Sequence, residues 1–132
     1  MSGTLAPYGP SNDNYFAVIN SAAADNSSIS IGIYKRISGI QTTLAGPTTL
    51  PLGALATFRF QADGFNLTLY RNGQALLAAT DTSLTGAGYA GFTLIGQFGG
   101  AGNNPTVDNW QAGDLPPSGI ETKSRTAAEC QW

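Results

Sequence analysis

Three short runs of alternating apolar and polar residues, joined by two tight-turn dipeptides, constrain the fold of this chain more than any other feature. The runs lie at 56–61, 65–70 and 74–80, and the dipeptides are Asp63-Gly64 and Asn72-Gly73. Asn-Gly suits a two-residue hairpin loop because both positions adopt positive φ, which matches the twist of paired strands. A period of two puts the apolar residues of a strand on one face of a sheet. The segment therefore predicts an antiparallel meander with one buried face.

Alternating runs continue on both sides of this meander. Ile29, Ile31 and Ile33 fall on one face of a predicted strand at 29–37, and Ser38-Gly39 turns the chain into a second strand at 40–44. Further strands are predicted at 15–20, 89–97 and 106–113, and a loop is predicted between Gly46-Pro47 and 51–53. Since no helical period of useful length occurs, we expect an all-β chain folded as an antiparallel β-sandwich.

The chain divides into three parts by composition. Residues 1–14 contain two prolines and show no periodicity, so they are predicted to form an N-terminal arm. Residues 15–115 hold every predicted strand and form the β-sandwich domain. Residues 116–132 begin with Pro-Pro-Ser-Gly and continue as a polar stretch, which predicts a C-terminal tail. At 132 residues, the chain is long enough for one hydrophobic core.

The charge balance argues against two classes of partner. Six Lys and Arg residues against eight Asp and Glu residues give a net charge of -2, and no basic residue occurs from Asn72 to Thr122. A nucleic-acid-binding protein clusters basic residues against phosphates, so we expect no nucleic-acid partner. No apolar run approaches the roughly 18 to 20 residues that a membrane span needs, and no secretory signal is visible, so we expect no membrane insertion.

Few residues of this chain can carry catalytic chemistry. There is no histidine to activate a serine or cysteine nucleophile, and Cys130 lies in the predicted tail. Glycosidases use two facing carboxylates, but Glu121 and Glu129, which are the only glutamates, also lie in that tail. No predicted strand carries two acidic residues at positions i and i+2. We therefore expect no enzymatic activity and no catalytic residue.

Three groups of residues from Phe65 onwards carry a resemblance to a known family. They are Phe65-Asn66-Leu67-Thr68-Leu69-Tyr70-Arg71-Asn72-Gly73, the runs 79–84 and 88–92 with Gly86 between them, and Val107-Asp108-Asn109-Trp110-Gln111-Ala112-Gly113-Asp114-Leu115. With 34–44 as the preceding strand pair, residues 15–115 resemble the C-terminal half of a concanavalin A-like (laminin-G-like) jelly-roll domain. The resemblance implies a short version of that sandwich, with extended termini.

This resemblance also implies that part of the usual sheet is absent. The strands that precede the Tyr15 region in that family have no counterpart here, and an incomplete sheet leaves backbone groups and an apolar face uncovered. We therefore expect neighbouring chains to complete or cover the sandwich. Only 11% of the residues are charged, against roughly 25% in an average soluble domain, which also favours a surface covered by neighbours. The alternative is a β domain of extracellular type with an ordinary neutral surface.

A calcium site is a further implication, since laminin-G-like domains hold the ion with loop carboxylates and carbonyls. Asp81 and Asp108 are the candidate ligands, helped by Asn104 or Asn109, if their strands are neighbours. The alternative is that Asp81 bonds to its own backbone, as turn aspartates commonly do. Calcium takes about six to eight oxygen ligands, and this chain has no dense acidic loop. We therefore favour the turn interpretation and expect no cofactor or metal.

A carbohydrate site is the other candidate, because sugar rings pack their C–H faces on aromatic rings and their hydroxyls bind amides. The candidate residues are the four aromatic platforms and the two loop amides: Tyr34, Tyr70, Tyr89, Trp110, Asn103 and Asn104. Alternation directs Tyr34 and Tyr70 away from the core residues of their strands. The alternative is that these rings pack a second sheet or a neighbouring subunit.

Two functions follow as expectations. The first is a non-enzymatic structural or assembly module that binds neighbouring subunits as a homo-oligomer, with a trimer as the expected number. By analogy with similar domains on bacteriophages, we expect this module on a virion surface, as a head decoration, spike or tail-fibre protein. The second is a carbohydrate-binding, lectin-like module that recognises cell-surface glycans, on a virion or in an extracellular setting.

Overall fold

The computed structural model describes residues 2–8, 13–22, 27–52, 56–85, 89–95, 110–114 and 125–131. These residues form ten strands and no helix. The strands are β1 (Ser2–Tyr8), β2 (Asn14–Ser21), β3 (Ser28–Ile37), β4 (Ile40–Pro51), β5 (Thr57–Asp63), β6 (Asn66–Arg71), β7 (Gln74–Thr80), β8 (Tyr89–Ile95), β9 (Trp110–Asp114) and β10 (Arg125–Gln131).

The strands form two five-stranded antiparallel sheets. The first sheet has the order β4-β3-β2-β1-β8, and the second has the order β7-β6-β5-β10-β9. The core lies between them and includes Ile19, Ile31 and Ile33 from the first sheet and Phe58, Phe60, Leu67 and Leu69 from the second. Each of these side chains is at most 1% exposed. The predicted all-β sandwich is therefore confirmed.

The predicted alternation is confirmed in the strands that hold the core. Ile29, Ile31 and Ile33 are fully buried, whereas Ser30 and Tyr34 on the opposite face of β3 are partly exposed. Phe58 and Phe60 are buried in β5 in the same way. Burying one such aromatic side chain contributes roughly 2 to 3 kcal/mol, so the periodicity marks the residues that fix the register of these strands.

The hairpin turns follow the predicted chemistry with one small shift. Asn72 and Gly73 have φ values of 50° and 81°, as the predicted type I′ turn between β6 and β7 requires. Between β5 and β6, the two loop residues are Gly64 and Phe65 rather than Asp63 and Gly64, since Asp63 pairs with Asn66. Gly64 has a φ of 61° and Phe65 does not have a positive φ, which matches a loop with glycine first.

The loop predicted at Gly46-Pro47 is wrong, because β4 runs through it to Pro51. The pairing of β3 with β4 shifts register next to Ile31 and Ile33, where β4 contains Gly46 and Pro47. Gly46 has a φ of 80°, and a Cβ at this position would lie 2.7 Å from the Ile31 carbonyl oxygen. Only glycine fits that approach. β4 is also an edge strand, where a proline that cannot donate a hydrogen bond is tolerated.

The predicted N-terminal arm and C-terminal tail are wrong for the parts that the structure describes. β1 lies between β2 and β8 in the first sheet, and β10 lies between β5 and β9 in the second. Neither strand is evident from its own sequence, because β1 contains Pro7 and β10 consists mainly of small and polar residues. Pro7 lies beyond Leu5, the last residue of β1 that pairs with β2, so its missing N–H interrupts no pairing on that side. Segments predicted as an arm and a tail thus each contribute an inner strand to a sheet.

Candidate functional site

The residues with the clearest potential for binding lie on the outer face of the first sheet. Tyr34 in β3 lies opposite Phe16 in β2, and Arg36 lies opposite Asn14 one step further along the same strands. All four alternate with core residues, so their strands project them away from the second sheet. We call Asn14, Phe16, Tyr34 and Arg36 the aromatic patch.

Tyr34 provides the accessible ring of the patch. Its ring is packed over Gly32, where an added Cβ would lie 2.5 Å from the tyrosine oxygen and 2.7 Å from two ring carbons. The ring also stacks on Phe16, with centroids 5.5 Å apart and planes inclined by 23°. Tyr34 is partly exposed, and within the described residues its hydroxyl forms no hydrogen bond. Because Gly32 has no side chain, the Tyr34 ring can lie against the sheet and stay partly exposed.

Phe16, Arg36 and Asn14 form the base and rim of the patch. Phe16 is 4% exposed although it faces away from the main core. The Arg36 guanidinium lies 5.3 Å from the centroid of the Phe16 ring, which is within cation–π range. Asn14 is 8% exposed, and in the described part of the chain its buried Oδ1 has no hydrogen-bond partner. An unsatisfied buried acceptor costs roughly 1 to 3 kcal/mol, which a suitable donor would recover.

Hydroxyl and amide side chains dominate the rest of this face. Tyr34 lies opposite Thr43, and Arg36 lies opposite Gln41, in the edge strand β4. Ser30 and Asn20 are paired further along β3 and β2. Across the paired positions of the described first sheet, this face contains one charged residue, Arg36, and no acidic residue. At these paired positions, the face therefore carries one cation beside the aromatic rings and no other charge.

The second predicted platform, Tyr70, lies on the opposite side of the molecule. It belongs to the outer face of the second sheet, where the Arg59 guanidinium lies 4.2 Å from the centroid of its ring. Arg59 pairs in register with Tyr70 on one side and with Glu129 on the other. The Arg59 guanidinium therefore occupies one face of the Tyr70 ring.

The other predicted platforms are only partly located by the structure. Tyr89 pairs with Tyr8 at the end of β8, the edge strand of the first sheet opposite β4. Trp110 pairs with Cys130 of β10, which pairs on its other side with Phe58 of β5. Asn103, Asn104 and Asp108 lie outside the described residues.

Asp81 lies in a polar cluster at one end of the sandwich. Its Oδ1 accepts a hydrogen bond from the Tyr15 hydroxyl at 2.7 Å and from the Ser83 backbone N–H at 2.8 Å. Its Oδ2 accepts from the Lys35 ammonium at 2.6 Å, and Lys35 also donates to the Ser83 hydroxyl at 2.7 Å. The Leu84 N–H donates to the Tyr15 oxygen at 3.0 Å. The cluster ties β2 and β3 of the first sheet to the segment that follows β7 of the second.

The pKa values of this cluster reflect its burial and its hydrogen bonds. Burial alone would raise the pKa of Asp81, but the hydrogen bonds from Lys35, Ser83 and Tyr15 outweigh it and hold that pKa well below its usual range. Burial, together with the hydrogen bond to Asp81, raises the pKa of Tyr15 to about 12. The bond from the Ser83 N–H shows the predicted turn role of Asp81, whose carboxylate is neutralised by Lys35. Convergence of Asp81 with Asp108 stays a prediction.

Neither the arrangement of metal-binding residue types nor similarity to known proteins identifies a function for this chain. Across the described ranges, no group of three or more His, Cys, Asp or Glu residues is arranged to hold a metal ion. No helix within those ranges is long and apolar enough to cross a membrane. No model of a known protein family matches this chain, and no match is found among curated proteins or solved structures. The concanavalin A-like resemblance therefore stays a prediction, whereas the β-sandwich is observed.

The sequence pointed to Tyr34 but not to the other three members of the aromatic patch. Phe16 sits in an aromatic, β-branched run that predicts a strand without showing which face is covered. Arg36 and Asn14 become neighbours only through the pairing of β2 with β3. An indicative signal was the Gly32-x-Tyr34 spacing, since an aromatic residue two positions after a glycine on one strand face has room to lie flat.

Proposed function

We propose that this chain is a non-enzymatic carbohydrate-binding module, and that the aromatic patch on the outer face of the first sheet is its binding surface. The observation that carries the proposal is the Tyr34 ring packed over Gly32 on a face rich in hydroxyl and amide groups. A sugar ring would pack on Tyr34, and its hydroxyls would exchange hydrogen bonds with the Tyr34 hydroxyl, Thr43 and Gln41. A few polar groups around an aromatic surface are what a small-ligand site needs for orientation.

The same face supports binding rather than hydrolysis. Cleavage of a glycosidic bond uses two carboxyl groups on opposite sides of the bond. The described paired positions around Tyr34 hold no acidic residue. Asp81, whose pKa is held well below its usual range by its hydrogen bonds, is bound to Lys35 at the end of the sandwich. Ligand release without chemistry is therefore the expected outcome for a sugar bound on this face.

Replacing Tyr34 tests the platform directly. We expect Tyr34→Ala to weaken glycan binding about tenfold, or about 1.4 kcal/mol, because the stacking surface is lost. Tyr34→Phe, which keeps the ring, should retain most of the affinity. Glycan-array binding followed by calorimetry on the best ligand would measure both effects. Tyr70→Ala is the matched control on the opposite sheet and should change nothing; if Tyr70→Ala abolishes binding and Tyr34→Ala does not, the proposed face is wrong.

Gly32→Ala provides a variant of the same test that leaves every polar group in place. The new Cβ would overlap the far end of the Tyr34 ring, so the ring must move away from the sheet. We expect weaker binding with an unchanged circular dichroism spectrum. Full affinity in Gly32→Ala would show that the packed position of Tyr34 is not needed.

A second candidate function, assembly with copies of itself, is favoured by the edges of the two sheets. The edge strands β4 and β7 contain no charged residue, and Ile40 in β4 is 72% exposed. Natural sheets commonly protect their edges with charges, so uncharged edges are templates for pairing with another chain. Under this proposal, the chain is a structural subunit such as a virion surface protein, with a trimer as the expected form. β1 and β10 lie at inner positions of their sheets, so assembly under this proposal would use the outer edge strands.

Light scattering of the purified chain distinguishes the two candidates. A discrete oligomer that dissociates when Thr42→Lys adds a charge to β4 would support assembly through this edge. The charge is expected to act because like charges would meet along a self-paired edge. A monomer over the whole concentration range would contradict self-assembly and leave the carbohydrate proposal unaffected.

A further inference from the structure

The geometry points to a carboxylated saccharide, such as one that contains a uronic or sialic acid, as the ligand of the aromatic patch. This inference rests on the proposed carbohydrate function and narrows it to acidic sugars. Its basis is the position of Arg36, whose guanidinium lies beside the two aromatic rings on a face that carries no acidic residue at its described paired positions.

Arg36 is available for a ligand. The residue is exposed, and among the described residues it takes part in no ion pair; its one defined contact is with the Phe16 ring. Asp13 directly precedes Asn14, the residue that pairs with Arg36, and its Oδ1 accepts a hydrogen bond from the Ser38 backbone N–H at 2.7 Å. Asp13 is thus engaged with the turn between β3 and β4.

The other described basic side chains are already engaged within the molecule. Lys35 is bound to Asp81, and Arg71 donates to the Pro51 carbonyl oxygen at 2.7 Å. Arg59 lies over Tyr70 and opposite Glu129 in register. Among the basic residues whose side chains the structure describes, Arg36 is therefore the one whose position fits an external anion. Arg36 thus places a positive charge on this face of a chain whose net charge is -2.

The chemistry of the two neighbouring groups suits one ligand. A guanidinium offers a planar pair of N–H donors that matches the two oxygens of a carboxylate. Tyr34, two residues before Arg36 on the same strand face, offers the surface for the sugar ring that carries this carboxylate. Residues at i and i+2 of a strand are roughly 7 Å apart, which is close to the width of one sugar ring and its substituent. One acidic sugar unit can thus contact both residues.

A glycan array with matched pairs tests this inference. Each pair consists of an acidic glycan ending in a uronic or sialic acid and the same glycan with its carboxyl group reduced to an alcohol. We expect the wild-type protein to bind the acidic member about tenfold more tightly at 50 mM salt. The preference should shrink at 500 mM salt, because ions screen an exposed charge pair.

Variants at Arg36 assign the preference to this residue. Arg36→Gln should bind both members of a pair equally, and Arg36→Lys should retain only part of the preference, since lysine lacks the planar pair of donors. Arg59→Gln removes the equivalent cation from the opposite sheet and should leave the preference unchanged. Circular dichroism of each variant checks that the fold is kept.

The outcomes separate this inference from the function on which it rests. If the wild-type protein binds reduced and acidic glycans equally, the acidic specificity is overturned and the carbohydrate function stands. If an acidic preference persists in Arg36→Gln, the site is overturned. If no glycan on the array binds, the carbohydrate function and the acidic specificity are both overturned.

Discussion

A chain that lacks residues 1–9 will not form the sandwich. The deletion removes β1, which pairs with β8 from Ser2 to Tyr8 and with β2 from Ser2 to Leu5. In the described structure, β1 is the strand that connects β8 to its sheet. Its loss leaves two strands with unpaired backbone groups and opens the core, at a cost above the roughly 5 to 15 kcal/mol that stabilises a typical domain. Circular dichroism and thermal unfolding would show a chain without a cooperative transition.

A point variant and a peptide test whether the loss of β1 pairing, rather than truncation in general, prevents folding. Thr4 pairs with Val18 on one side and with Thr93 on the other, so Thr4→Pro should destabilise the protein by about 3 kcal/mol or more, whereas Thr4→Ala should cost far less. A synthetic peptide of residues 1–12, added to the truncated chain, should restore the β-sheet spectrum. A truncated chain that melts cooperatively within a few degrees of the intact protein would show that β1 is dispensable.

Asp81→Ala is expected to destabilise the protein by about 3 kcal/mol. The change leaves the Lys35 ammonium, whose side chain is 20% exposed, without its partner and removes the acceptor of the Tyr15 hydroxyl. Breaking a buried pair from one side typically costs about 3 to 5 kcal/mol, and the partial exposure of this pair places it at the lower end. Urea unfolding measures the loss. The double variant Lys35→Met with Asp81→Ala should recover part of it, because no unpaired charge is left; a double variant as unstable as the sum of both single changes would contradict this explanation.

The same cluster predicts how stability changes with pH. Because the pKa of Asp81 is lower in the folded state than in the unfolded state, its contribution is complete above about pH 4 and is lost as the pH falls below that value. Because the pKa of Tyr15 is raised to about 12, its contribution is complete below about pH 10 and is lost as the pH rises towards 12. The chain has no histidine, so unfolding free energies should change little between these limits. Asp81→Asn should reduce the loss of unfolding free energy below about pH 4, and Tyr15→Phe should reduce the loss above about pH 10.

The central strands of the fold could be predicted because their sequence repeats one simple rule. Ile29, Ile31 and Ile33 alternate with polar or small residues, and Asn72-Gly73 fits one turn type. Local propensity and burial agree in these strands. β1 and β10 could not be predicted in this way, because their pairing partners, and not their own residues, hold them in place. Ala127, Ala128 and Glu129 favour a helix in isolation, yet they lie between two strands that determine their conformation.

Only part of the candidate site could be predicted, because most of it depends on which residues pair across strands. Alternation placed Tyr34 on the outer face from its own strand alone. The position of Arg36 beside Phe16, and the burial of Asn14, depend on which residues of β2 lie opposite β3. Likewise, the turn role of Asp81 was visible from its local sequence, but its bonds to Tyr15 and Lys35 join residues that are far apart in the chain. Cross-strand register is set by the whole core, which a single segment does not encode.

The places of β1 and β10 have a consequence for the order of folding. Asp63 pairs with Arg125, and Ser2 pairs with Ile95. Each sheet therefore contains a pair of neighbouring strands that are distant in sequence. Such high contact order slows folding, because long loops must close before these contacts form. During synthesis, the edge of β5 that pairs with β10 therefore has no partner strand until residues 125–131 have been made. Aggregation of nascent chains should therefore be greatest in that interval, and the docking of β10 should be the event that ends it.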